Sequence, residues 1–488
     1  MSTHPDNRYE LTTMTWKPAK SRLFRPYTTC IVQLLEEDIE AGRLVPGTKL
    51  PPQRLLADWL GVDVDTISKA YGLCREKGIL QTFRTKGSFI TLPKKDAAGE
   101  DRTGEGRDRR NAPADLGEVV PLYSQNEWIR QYTERLLSGA DAAELFGTRS
   151  EEDTAAQEKA GSAFLQDCGL TKEAAESPLI TEGSQSALAA CLTALFDPGD
   201  VIACDRYTDE GFLRLAFLLH LVVLPVESDE EGMKPSSLAF LCREKKVRGI
   251  YLNPDSNNPT GLRISKSRRS ILIKVIRRHG LLLLEDGSFS PLCAEPIPPM
   301  SLALPDQAIY LSGFASAVGP GLLTSYAAVP KAYLEKVETA SRSLGRHCLP
   351  LLPKIAEQLI SSGTSRMITE DKKKELALRN ETSGEIFPEQ STRKDTLYQW
   401  LRLPESMDGG DLEKYLLTRN IIVFGAEHFL ADTGAARNFL RVSTGTPKTR
   451  EQLQENLALL KTGIDAYRSG AMTKRYPAGS LDSDETTA

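Results

Sequence analysis

The chain has 488 residues, of which 40% are hydrophobic and 26% charged, with a net charge of −5. That length exceeds one ordinary core and allows two or three domains, in the balance of a globular chain. The negative charge argues against coating nucleic acid along the whole length, but leaves room for a small DNA-binding module, because the field that matters is local.

Residues 1–22 read as a flexible arm, and they lack the apolar stretch of a secretory signal. No run of about 18 uncharged apolar residues follows anywhere, so no membrane span is expected and the cytoplasm is the expected location. An ordered block is expected over residues 23–92. In it Ile31, Leu34, Leu35 and Ile39 recur at helical spacing, and Gly42 is placed to end that helix. A proline-punctuated turn leads to a short helix over Gln53 to Leu60. A third helix runs through Thr66, Ile67, Ala70 and Tyr71, with Asp63 or Asp65 as its cap. Gly78 to Phe83 and Lys86 to Thr91 alternate like two strands around a basic turn.

Residues 93–115 mix Gly, Ala and charge of both signs with almost no large apolar side chain, and read as a linker. Residues 116–469 then alternate short apolar strands with helices. Leu179 to Leu188 reads as a strand, a tight turn and the start of a helix, and further strands are expected at Val201–Asp205, Gly249–Leu252, Leu281–Asp286 and Ala308–Leu311. That order implies a mainly parallel sheet with ligands at the strand C-terminal ends. Tyr398–Leu401, Ile422–Gly425 and the strand around Arg441 fit a smaller C-terminal part, residues 345–469, of α+β type. Residues 470–488 are polar and read as a disordered tail. The eight cysteines are scattered without a CxxC pair, and the five histidines do not cluster with them. Metal-ligand spacing is absent, and reduced, buried thiols are expected.

The string G-R-L-x-P-G-x-x-L-P-x-x-R-x-L-A from Gly42, then L-G-V, Thr66, E-x-G-I-L and the K-G-S-F-I wing, resembles the GntR family of bacterial regulators. The resemblance implies a winged helix-turn-helix whose third helix enters the major groove of a double-stranded operator. It assigns DNA contacts to Arg54, Thr66, Ser68 and Lys69, and to Arg84 and Lys86 in the wing. Asp63-Val64-Asp65 departs from the Ser-Arg often found before the recognition helix.

Further on, Gly183-Ser184-Gln185-x-Ala187-Leu188, Asn258-Pro259-Thr260-Gly261, Glu285-Asp286 and Arg441 resemble fold-type I pyridoxal-phosphate aminotransferases. A GntR-like head joined to such a domain is the layout of the MocR branch. The resemblance gives Asn258 the cofactor's phenolic oxygen, Asp286 its pyridine nitrogen, Gly183, Ser184 and Gln185 its phosphate, Arg441 a substrate carboxylate, and Tyr207 or Thr208 a place stacked on the ring. Each retained residue also has a plain structural use. Asn258 can serve the turn, Asp286 a cap or an ion pair, and Arg441 an ion pair.

The resemblance also shows losses. Where the family reads Y-L-G-T-F-S-K, this chain reads Tyr310-Leu311-Ser312-Gly313-Phe314-Ala315-Ser316. Ser316 replaces the Schiff-base lysine, Leu323 the phosphate-binding arginine, Gly313 a hydroxyl and Ser288 a tyrosine. A hydroxyl cannot form an imine. The expectation is therefore a regulator with a catalytically inactive aminotransferase-like domain that dimerises and senses a small anionic effector, without covalent pyridoxal phosphate. Weak non-covalent pyridoxal phosphate stays open. The competing readings are an active aminotransferase with an accessory head, and a ligand-free dimerisation scaffold.

Overall fold

The structure, a computed structural model, describes residues 14–40, 44, 50–77, 79–83, 87–90, 113–120, 122–123, 125–139, 142–147, 151–345, 351–390, 393–432 and 434–470. The chain divides into two compact units, residues 1–109 and 110–488.

In the first unit, helices α1 (Tyr27–Glu40), α2 (Gln53–Leu60) and α3 (Val64–Glu76) precede an antiparallel hairpin of β1 (Leu80–Phe83) and β2 (Gly87–Ile90). α2 stops because Gly61 takes a left-handed conformation at φ 74°, which a side chain would resist. The apolar positions singled out by helical spacing form the core: Ile31, Leu34 and Leu35 from α1 meet Leu60 from α2 and Ile67, Ala70 and Tyr71 from α3. Asp63 holds the N-cap position of α3, but its side chain makes no capping bond. Asp65 lies in the first turn, where its charge complements the helix dipole.

The arm departs from expectation. Trp16 is only 4% exposed and joins the core of this unit, and its indole Nε1 donates to Asp38 at 2.7 Å. Trp59 Nε1 donates to the Pro18 carbonyl at 3.1 Å, with the Lys17 and Lys20 ammonium groups over its ring. An indole buries a large apolar area and keeps one N–H to satisfy. Residues 14–22 are therefore part of the head.

The second unit is built on a seven-stranded sheet. Its strands are β3 (Leu179–Thr181), β4 (Val201–Asp205), β5 (Val222–Val226), β6 (Val247–Leu252), β7 (Leu282–Asp286), β8 (Ala308–Gly313) and β9 (Ser325–Ala328), in the order β3-β9-β8-β7-β6-β4-β5. β9 is antiparallel to both neighbours, and the remaining pairs are parallel. The central strands are apolar over most of their length because helices cover both faces. Ile250, Tyr251, Leu283, Leu284, Ile309 and Leu311 are all fully buried. The expected strands are present in the expected places.

The smaller part holds a three-stranded sheet of β10 (Tyr398–Arg402), β11 (Phe424–Gly425) and β12 (Phe439–Ser443), with β12 in the middle. Its core joins Leu401, Val423, Leu440 and Val442 to Leu453, Leu457 and Leu460 of the last helix. One boundary shifts. Ala114 and Asp115, placed in the linker by composition, pair in parallel with Ile421 and Ile422. Helices Leu351–Ser361 and Thr364–Ile386 bridge the two parts, with Ile355, Leu359 and Leu376 in one cluster with Phe164, Phe314 and Tyr326 of the larger part and Leu397 and Tyr398 of the smaller. Among the described residues no helix is long and apolar enough to cross a membrane.

Candidate functional site

On the head, Arg54 is exposed in the first turn of α2. Ser68 and Lys69 are exposed on α3, and Thr66 is half-buried on the same helix. Arg84 and Lys86 lie outside the described residues.

In the second unit the strand order brings the remaining candidates to one end of the sheet. Asp205 closes β4, Asn253 follows β6, Asp286 closes β7 and Gly313 closes β8. Gly183 turns the chain at φ 86° into the helix α4 (Ser184–Leu195), whose N-cap residue makes no side-chain capping bond. Ser316 sits half-buried on α5 (Phe314–Ala317), the short helix after β8. Side chains crowd there: a Cβ at Gly313 would meet Ser316 Oγ at 3.2 Å and Ser184 Oγ at 3.3 Å.

Asn258 and Arg441 are joined. Arg441 Nη1 donates to Asn258 Oδ1 at 3.0 Å and Nη2 donates to the Gly117 carbonyl at 2.8 Å. Its guanidinium also lies 4.6 Å from the centre of the Phe429 ring and 5.1 Å from that of Phe424. Burial pushes its pKa down, although an arginine keeps its charge in proteins. Asp286 accepts from Tyr251 Oη at 2.9 Å and from the Ser288 amide at 2.9 Å. Tyr251 is itself stacked on Phe212 at 4.2 Å. The Ser288 hydroxyl is buried with no hydrogen-bond partner.

Other candidates are placed differently. Tyr207 is not available to stack on a ring at this site. Its ring packs against Trp400 and Phe439, and its hydroxyl donates to the Ala436 carbonyl at 2.6 Å. The neighbouring Thr208 is buried with its amide bonded to the Phe429 carbonyl. Gln185 turns aside to donate from Nε2 to the Gly211 carbonyl at 2.9 Å. Leu323 is 53% exposed, and its Cδ2 lies 3.8 Å from where a Cβ on Gly183 would stand.

Three features escaped the sequence reading. Asp209 enters the site: it accepts from Asn258 Nδ2 at 2.7 Å and caps the helix that starts at Glu210 by accepting from the Phe212 amide at 3.1 Å. Burial and the nearby Asp286 charge push its carboxyl up. His428 lies between Glu210, with 3.5 Å from Nδ1, and Glu413, with 3.0 Å from Nε2, and these partners raise its pKa to about 9. Lys372 is fully buried; its ammonium donates to the carbonyls of Leu122 at 3.1 Å and Val318 at 2.6 Å, and burial pushes its pKa down to about 7. Only the S/T/D-x-x pattern before a helix could have pointed to Asp209. Lys372 carries no sequence signal, since its burial is set by three distant segments.

Residues 28–90 match the description of the bacterial regulatory proteins of the gntR family, and residues 127–457 match aminotransferase class I and II. Along 463 residues the chain is 30% identical to the uncharacterized HTH-type transcriptional regulator YdeF of Bacillus subtilis, covering 94% of this chain and 99% of that one. The chain belongs to the GntR-type regulatory proteins that carry an aminotransferase class I and II domain. The 2-aminoadipate transaminase of Thermus thermophilus is a relative of this GntR-type chain at 27% identity over 300 residues, or 58% of this chain and 74% of that one. The solved structure of the α-aminoadipate aminotransferase LysN from Thermus thermophilus superposes with a TM-score of 0.66 at 22% identity, covering 74% of this chain and 94% of that one. That likeness fixes the fold of the second unit. Head and large domain together are the layout that the MocR resemblance implied.

Proposed function

We propose that this chain is a DNA-binding transcription regulator, working as a cytoplasmic homodimer, whose aminotransferase-like unit performs no Schiff-base chemistry. The observation that carries the reading is Ser316 on α5, just after β8, where the resemblance places the lysine. The regulator names of the full-length relatives support the DNA-binding half.

The residues present do not fit pyridoxal phosphate. The segment Phe314–Ala317 offers hydroxyl and methyl groups but no amine. A leucine stands beside the Gly183 turn in place of a countercharge to phosphate. Asp209 adds a carboxylate beside Asp286, and Arg441 is already held by Asn258 and Gly117. Two carboxylates and one committed guanidinium also make this pocket a poorer anion site than the retained motif suggests. The buried amine of Lys372 is engaged with backbone carbonyls.

On the head, Arg54, Thr66, Ser68 and Lys69 present the operator-reading surface, with Arg84 and Lys86 assigned to the wing from sequence. Pairing two heads in a homodimer gives two half-sites. Arg54→Ala should weaken binding to all duplexes alike and reduce the slope of log K against log salt by about one unit. Fluorescence anisotropy with the chain's own upstream DNA, over a range of salt, measures both. An unchanged affinity and slope would remove Arg54 from the interface.

A further inference from the structure

The end of β4 borders a cavity of about 140 Å³. Asp205, Ser228, Asn257 and Thr260 give it a polar side, and Leu262 and Ile264 an apolar one. It belongs neither to the head nor to the Asn258–Arg441 cluster.

Asp205 is 8% exposed. Its carboxylate accepts from Ser228 Oγ at 3.1 Å and from Asn257 Nδ2 at 3.2 Å, and both donors are neutral. Arg206 lines the same cavity, yet its Nε lies 3.9 Å from Asp432 rather than against Asp205. Among the described residues no cation pairs with Asp205. Buried carboxylates ordinarily carry a countercharge, because desolvating one without a partner is costly. Burial raises this carboxyl to about 6, so at pH 8 it is ionised all the same.

We infer that this cavity binds the ammonium head of a small primary alkylamine, with Asp205 as its counter-ion and Leu262 and Ile264 flanking the alkyl chain. The Thr260 hydroxyl already donates to Asn257 Oδ1 at 2.8 Å and keeps a lone pair for a second N–H of the ammonium. A divalent metal fits less well, since hard cations want six or more oxygen ligands and this lining offers one carboxylate, the Ser228 and Thr260 hydroxyls and the Asn257 amide against two aliphatic walls. The ligand would bear directly on Asn257. That residue donates to the Tyr207 carbonyl at 3.3 Å and precedes Asn258, the partner of Arg441. Amine binding is thereby wired to the loop that holds the aminotransferase-like site.

Titration calorimetry of n-butylammonium chloride into the full-length protein at pH 8, against matched sodium chloride, tests this. The expected result is saturable binding at one site per chain, weakened at least tenfold in Asp205→Asn. Leu262→Phe, which fills the cavity and keeps the carboxylate, should also abolish binding, and it decides the matter if Asp205→Asn does not fold. Heat no greater than that of sodium chloride, or undiminished binding in either folded variant, would overturn the inference.

Discussion

Arg269→Ala lowers the stability of the second unit by about 3–5 kcal/mol, the range for removing one partner of a buried ion pair. Arg269 is 3% exposed, and its Nη2 donates to Asp255 Oδ1 at 2.6 Å and to the Pro254 carbonyl at 2.9 Å. Its Nε donates to the Ile264 carbonyl at 3.0 Å. The truncation leaves Asp255, 4% exposed, with the Ser290 hydroxyl and the more distant Arg263 at 3.8 Å. The Ile264 carbonyl loses the guanidinium donor as well, and the Pro254 carbonyl keeps only the Ile264 amide. The damage falls on the segment from Asn253 to Gly261, which carries Asn257 and Asn258. Urea denaturation of full-length protein should show an earlier transition for the second unit and an unmoved one for the head. An unchanged midpoint would mean that Asp255 finds another cation.

The second large effect is a pH dependence. Lys372 titrates near 7 in the folded chain and near 10.5 when unfolded. Between those values the unfolded chain binds more protons, so stability rises with pH, by at most about 1.4 kcal/mol per pH unit. Below about pH 7 the cost of burying the charge is present in full; above about pH 10.5 it has gone. The whole shift corresponds to about 5 kcal/mol, an upper bound, because the Leu122 and Val318 carbonyls favour the charged form. His428 runs the other way. Its pKa is raised to about 9, so its contribution is complete below about pH 6.5 and is lost as pH rises through 9. A comparison of wild type with Lys372→Met between pH 7 and 9 cancels the histidine, which both proteins share. Wild-type stability should climb relative to the variant, as read from chemical denaturation midpoints. Parallel curves would mean that Lys372 stays charged throughout.

The sequence made the fold legible wherever local pattern and burial agree. The helical stripe of Ile31, Leu34 and Leu35 became core, and the apolar runs ending at Asp205, Leu252 and Asp286 became parallel strands. Strand-end residues could be assigned to one site because parallel sheets gather their C-terminal ends. Composition misled where a few large or paired residues outweigh a polar neighbourhood. Trp16 anchors a segment that otherwise reads as an arm, and Ala114 with Asp115 gains an edge pairing that no local signal announces. Tyr207, which the resemblance would stack on a cofactor ring, packs instead on Trp400 and Phe439, because spacing fixes a residue's number but not its direction. Asp209 was missed for the same reason. It sits two residues further on, and only the fold shows its carboxylate reaching Asn258.

The site's electrostatics were the least legible part. Arg441 and Asn258 were read separately, yet they share a bond of 3.0 Å that spends part of the guanidinium inside the protein. A motif match records which residues survive, while their availability to a ligand depends on what else has moved in beside them. Here that is a carboxylate at 209 and an exposed leucine at 323.

A single spectrum distinguishes an aminotransferase-like unit that forms an imine from one that does not. Purified full-length protein is mixed with pyridoxal phosphate, reduced with borohydride, dialysed and digested for mass spectrometry. The account predicts a spectrum that is the sum of protein and free cofactor, with no pyridoxyl group fixed at a single site. A stoichiometric imine band, with a pyridoxyl group mapped to one lysine such as Lys372, would contradict it.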